Sequence, residues 1–126
     1  MSDISYQLIK KGLDTSSLRQ KTISSNIANV NTPNYKVNKV EFEEYLQRAV
    51  NGVNLNKTNK LHFGASKLSD VEPIVKKRTN TTYNDNGNNV DIDLEMTELA
   101  ANEIYYSALT QIINAKLSSL NYVINR

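Results

Sequence analysis

From Asp91 to Arg126 the chain contains neither proline nor glycine, and this run constrains the fold more than any other feature. An uninterrupted stretch of that length, opened by acids and filled with helix formers, predicts one long α-helix. Asp91, Asp93, Glu95 and Glu98 cluster at its start, where carboxylates cap free N–H groups and meet the positive end of the helix dipole. The same acids could hold a metal or form a catalytic pair, but capping accounts for most of them. Apolar residues then fall into two stripes at helical spacing. One reads Leu99, Tyr106, Leu109, Ile113, Leu117, Leu120, Ile124, and the other Ile104, Ala108, Ile112, Ala115, Ser119, Tyr122. A helix that is apolar on more than one side must be covered on more than one side.

The N-terminus supplies cover for the first stripe. Tyr6, Ile9, Leu13, Ser16, Gln20, Ile23, Ile27 and Val30 follow alternating steps of three and four until Pro33 stops the pattern, with Ser2 or Asp3 as the expected cap. Pairing is therefore expected between Ile9, Leu13, Ile23 and Ile27 on one helix and Leu109, Ile113, Leu117 and Leu120 on the other. Ser16 and Gln20 put polar groups into that seam, and Gly12 weakens the helix as an isolated element. The second stripe (Ile104, Ala108, Ile112, Ala115) has no obvious partner in the chain. A partner subunit is its simplest cover; the alternative is a three-helix fold in which residues 40–50 cover it.

Those residues form a short amphipathic stretch, with Val40, Phe42, Tyr45, Leu46, Ala49 and Val50 fitting about three helical turns. Asn51-Gly52 is expected to end it, and residues 53–70 read as a polar loop. Pro73-Ile74-Val75-Lys76 and Thr81-Thr82-Tyr83 look like short strands. Residues 84–89 are turn chemistry, and Val90-Asp91-Ile92-Asp93 alternates like a strand entering the last helix. The expected fold is mainly α: long terminal helices packed as an antiparallel pair, with a short middle segment of loop and small β-strands. The natural divisions are 1–36, 37–90 (short helix, loop and β-hairpin) and 91–126.

At 126 residues the chain fits one domain. Its frequent asparagines read as the codon bias of an AT-rich genome. A net charge of +2 is too small to point to nucleic acid or an acidic membrane, and Lys76-Lys77-Arg78 reads as a solvated strand edge. Without cysteine there is no disulfide or thiolate metal site. No apolar run approaches the ~20 residues of a membrane span. The N-terminus lacks a basic start followed by an apolar stretch, so a cleaved secretory signal is not expected. His62, the sole histidine, has no partner for a triad or metal site. With Gly87 placed sixth in a calcium loop, Thr82 falls first and Asn89 eighth, a poor match. No catalytic constellation, cofactor motif or metal site emerges.

One resemblance is specific. Ala28-Asn29-Val30-Asn31-Thr32-Pro33-Asn34-Tyr35 resembles the A-N-x-x-T-P-G-Y signature of the flagellar axial proteins, the rod and hook family, and it follows an N-terminal amphipathic helix as it does there. Asn34 stands where that signature has glycine; after proline, a type II turn needs positive φ at this position, which asparagine tolerates best after glycine. A second block, Asn86-Gly87-Asn88-Asn89-Val90-Asp91-Ile92-Asp93-Leu94-Glu95, is similar to the D-G-N-N-V-D-x-x-x-E stretch of the family's proximal rod members, with Asn86 in place of aspartate. The resemblance implies a structural, non-enzymatic subunit of the basal-body rod whose terminal helices pack in the core of a tube and transmit torque from the membrane ring toward the hook. It makes Asn29, Thr32, Pro33, Asn34 and Tyr35 the turn motif. It also implies uncleaved type III export to the periplasmic rod, and Phe42 and Leu46 match the F-x-x-x-apolar element read at the flagellar export gate. The implied partners are a FliE-like adaptor at the membrane ring, FlgC-like rod proteins and further copies of the chain, with no cofactor or small-molecule substrate. Two other readings are a helical adaptor or export chaperone that forms a homodimer, and a nucleic-acid-binding module resting on residues 76–78.

Overall fold

The computed structural model describes residues 4–55, 70–79 and 84–125, with side chains in the first stretch described to residue 51. The expected cap at Ser2 or Asp3, the Thr81-Thr82-Tyr83 strand, His62 and most of the 53–70 loop lie outside the described residues.

The C-terminal run forms a single helix, α3 (Ile92–Ile124), capped by Asp91, whose side chain accepts from the backbone N–H groups of Asp93 and Leu94. Helix formation therefore begins at Ile92, and residues 90–93 are not a strand: the Asp91 cap overrides their alternation. The N-terminal helix, α1 (Ile4–Ala28), ends before the turn residues preceding Pro33. The two pack together and run antiparallel: Gly12 faces Leu109, Ser16 bonds Asn102, and Asn26 bonds Glu95. Gly12 is useful because of that approach. A Cβ there would lie 3.0 Å from Leu109 Cδ1, so glycine lets α3 come close despite its cost in helix propensity.

Between the long helices come β1 (Asn38–Glu41), α2 (Glu43–Leu55) and β2 (Ile74–Lys77). The two strands pair antiparallel with Val40 opposite Val75 and Glu41 opposite Ile74. Two expectations need correction. Val40 belongs to β1 and not to the short helix, because it alternates with charged Lys39 and Glu41 and pairs across to Val75. The helix starts instead at Glu43 and Glu44, acids suited to a first turn, and continues through Asn51-Gly52 to Leu55. The partner of β2 is β1, which precedes α2, so this pairing encloses a helix; the second strand of the expected hairpin, Thr81-Thr82-Tyr83, lies outside the described residues.

The apolar core lies mostly beneath this middle layer. Val37, Val40, Phe42, Ala49, Val71 and Val90 are buried, whereas α1 contributes Ile23 and α3 no large apolar residue at all. Arg19 fastens α1 to the layer, donating to both carboxylate oxygens of Glu43 at 3.0 and 2.8 Å and to the Val40 carbonyl at 3.2 Å. Lys11 bonds the Val71 carbonyl at 2.8 Å from the other side.

Candidate functional site

Backbone geometry at the turn comes first. Thr32, Pro33, Asn34 and Tyr35 form a turn closed by Tyr35 N–H on the Thr32 carbonyl at 3.3 Å, with Asn34 at φ +59°. Positive φ after proline is what a type II turn requires. Asn29 steadies the turn by accepting from the Thr32 hydroxyl at 3.0 Å. Replacing Asn34 with glycine should leave stability nearly unchanged, whereas Asn34→Val should lose about 1–3 kcal/mol, because a β-branched residue is strained there. Chemical denaturation of the two variants checks this, and equal midpoints would contradict it.

The second sequence block closes onto this turn. Asn34 N–H donates to the Asn86 carbonyl at 3.0 Å, and Lys36 reaches the Gly87 carbonyl. Gly87 sits at φ +82°, a backbone conformation that favours glycine, and a Cβ there would meet Asn34 Oδ1 at 2.4 Å, displacing that side chain. Asn88 is fully buried. Its amide donates to the carbonyls of Asn29 and Thr32, both at 2.8 Å, and its oxygen accepts from Val90 N–H. Asn89 accepts from Val37 N–H and donates to the Arg78 carbonyl, both at 2.6 Å. Segments more than fifty residues apart in sequence thus form one polar clasp.

Asn26 is the hub of that clasp, at 1% exposure. Its amide donates to the Asn38 carbonyl at 2.8 Å and to Glu95 Oε2 at 3.1 Å, while its oxygen accepts from Tyr35 O–H and Asn38 N–H, both at 3.0 Å. One side chain joins α1, the turn, β1 and α3 with its hydrogen-bonding capacity filled. Farther along the helix pair, Asn102 donates to the Ser16 carbonyl and to Gln20, and accepts from the Ser16 hydroxyl at 2.9 Å. The polar positions of the seam are therefore its fasteners. Frequent asparagine has a structural use here that codon bias does not supply.

Glu95 departs from the capping role expected of the four acids. Only 5% exposed, it points into the layer toward Asn26. Burial lifts its pKa above the ordinary carboxylate value; the Asn26 bond and the charge of Arg78 oppose this, and the charges of Glu98 and Asp91 add to the rise. The folded state therefore holds this proton more tightly than the unfolded chain. The resulting penalty is complete above the raised pKa and is relieved as pH falls toward 4.5. Glu95→Gln should raise the denaturation midpoint at pH 7.5 and bring no gain near pH 4.5. A gain independent of pH would contradict the assignment.

The remaining sequence-derived positions fall in three places. Ile23 is buried, and Ile9, Leu13, Ile27, Leu109 and Ile113 are half-buried along the helix pair, but Leu117 and Leu120 are exposed. Phe42 is buried in a cluster with Ala49 and Val71, and Leu46 packs against it. On the second stripe, Ile104 is 73% and Ile112 51% exposed, with Ala108 and Ala115 also exposed. The middle layer does not cover this stripe, so the three-helix alternative is not the arrangement formed. Continuing the antiparallel register puts Ile4 level with roughly residue 117, so about two turns of α3 extend past the described start of α1. Among the described residues, no group of three or more His, Cys, Asp or Glu is placed to hold a metal, and no helix is long and apolar enough to cross a membrane.

Sequence reasoning missed Asn26, Asn88, Asn89, Asn102 and Glu95 as structural centres. Four of the five lie inside or beside the two quoted motifs, which was the available signal.

Comparison with known proteins places these features in context. Residues 11–36, which hold Gly12, Ser16, Asn26 and the turn, match the family model described as flagella basal body rod protein. The chain is 42% identical over 118 residues to the flagellar basal body rod protein FlgB of Bacillus subtilis, covering 94% of this chain and 91% of that protein. It is 42% identical over 120 residues to FlgB of Borreliella burgdorferi, covering 89% of each, and 31% identical over 122 residues to FlgB of Aeromonas hydrophila, covering 94% and 90%.

Proposed function

The chain belongs to the flagellar basal body rod proteins, and from that membership we propose that it is a structural subunit of the proximal rod, assembling through its terminal helices and carrying torque from the membrane ring toward the hook. The observation that carries the assembly reading is α3 itself. Its apolar residues contribute almost nothing to the core of the lone chain, while Ile104, Ile112, Val123 and Ile124 stand more than half exposed. Large apolar side chains left exposed along a helix in this number support its use as an interaction face.

Within this reading the helix pair lies in the tube wall and the middle layer outside it. The contacts are copies of the chain, FlgC-like rod proteins and a FliE-like adaptor, reached by type III export into the periplasmic rod without signal cleavage. If Phe42 and Leu46 are the element read at the export gate, recognition precedes folding, because the folded layer encloses Phe42. The adaptor or chaperone homodimer would use the same exposed stripe but assigns no role to the turn motif. Deleting the gene should leave membrane rings without rods or hooks, and tagged protein should copurify with basal bodies. Normal rods in the deletion strain would refute the proposal.

A further inference from the structure

The sequence contains two Asn-Gly steps, Asn51-Gly52 and Asn86-Gly87. An asparagine carboxamide is open to attack by the backbone nitrogen of the next residue, and glycine, without a Cβ, lets that nitrogen approach. The fold treats the two steps differently. Asn51 and Gly52 lie inside α2. There a side chain tilts toward the helix N-terminus, away from the following nitrogen, and an interior N–H is held by a carbonyl one turn back.

Asn86 is exposed, in the turn that closes onto Pro33-Asn34. Its side-chain oxygen accepts from Asn88 N–H at 3.2 Å, which folds the carboxamide back toward the Gly87 nitrogen. That same N–H sits where negative charge would develop on Oδ1 during attack. Asn34 N–H, 3.0 Å from the Asn86 carbonyl, draws electron density from the Asn86–Gly87 peptide and makes its N–H more acidic. The Lys36 ammonium on the Gly87 carbonyl adds positive charge nearby. One contact opposes the reaction: Gly87 N–H donates to the Asn84 carbonyl at 3.0 Å and must part from it first.

We propose that Asn86 is a spontaneous deamidation site of the folded chain. The Gly87 nitrogen gives its proton to a solvent base and forms a bond to Asn86 Cγ. The bond from Cγ to Nδ2 then breaks, and Nδ2 takes a proton from water and leaves as ammonia. Water opens the resulting cyclic imide at either carbonyl, giving aspartate or isoaspartate. The two products act oppositely on the clasp. Aspartate keeps the backbone unchanged and is the residue found here in the rod-family stretch that this block resembles. Isoaspartate routes the backbone through the side chain and adds a methylene before Gly87, which shifts Asn88 away from the Asn29 and Thr32 carbonyls that it bonds. The conversion does not depend on whether the chain assembles.

Peptide mapping by mass spectrometry tests this on the full chain, incubated in mildly alkaline buffer with a parallel sample in urea. In buffer, conversion at Asn86 should exceed that at Asn51 by roughly tenfold or more, because small misplacements of reacting atoms cost up to about a hundredfold in rate. In urea, which removes both local structures, the two sites should convert at similar rates. Asn86→Gln enlarges the ring that must form and should abolish conversion at this position. Asn86→Asp should unfold at the parent's urea midpoint, and the isoaspartate fraction separated by chromatography should unfold at a lower one. Asn86 remaining intact in buffer, or Asn51 converting there as fast as Asn86, would overturn the assignment. An isoaspartate fraction as stable as the parent would overturn its effect on the clasp.

Discussion

Asn26→Ala should be the most destabilising single replacement in the protein, costing about 3–6 kcal/mol. The mutation leaves Asn38 N–H, Tyr35 O–H and the buried Glu95 carboxylate without their partner, and each orphaned buried group costs about 1–3 kcal/mol. A total near 5 kcal/mol approaches the whole stability of a small domain, roughly 5–15 kcal/mol. The turn, β1 and the start of α3 should loosen together, because the one side chain holds them together. Urea denaturation gives the magnitude, and hydrogen exchange at residues 35–41 and 92–98 gives the location. Asn31→Ala, an exposed asparagine in the same segment, is the control and should change stability by less than about 0.5 kcal/mol. If the two variants behaved alike, the clasp would not be the centre of the fold.

Ile112→Asp should instead leave the isolated subunit unharmed and abolish assembly. Ile112 is half exposed in the lone chain, where a polar replacement costs within about 0.5 kcal/mol. In a closed subunit interface the same carboxylate is buried without a partner, a penalty of about 3–5 kcal/mol. At 1.4 kcal/mol per decade this weakens each contact by roughly two to four orders of magnitude. The variant should melt like the parent, be exported, and fail to restore motility. Lys77→Ala, on the exposed face of β2, should restore it. Normal rods built from Ile112→Asp would remove the second stripe from the interface.

These two variants also separate what the sequence makes legible from what it hides. Periodicity exposed both long helices, because an apolar pattern survives without knowledge of what covers it. It also marked Ile104 and Ile112 as lacking an internal partner, and they are exposed in the fold. The Pro33-Asn34 turn was legible because positive φ restricts residue choice so tightly. What periodicity could not show is the way the pair is fastened. Ser16 and Gln20 look like flaws in an apolar seam until Asn102 is placed opposite them, and only tertiary structure places it there. Asn26, Asn88 and Asn89 carry no hydrophobic signal, and a buried amide looks like any surface asparagine until its partners are known. The start of α2 was misplaced for a related reason. Val40 fits the helical spacing, but its pairing with Val75, thirty-five residues later, decides its conformation.

The most direct test of the account is a density map of the basal body with this chain located in it. We expect the Ser16–Asn102 and Asn26–Glu95 contacts of α1 and α3 to persist, with Ile104 and Ile112 buried against neighbouring helices in the tube wall. A subunit seated in the rod with that stripe still facing solvent, and its contacts made by the middle layer, would contradict it.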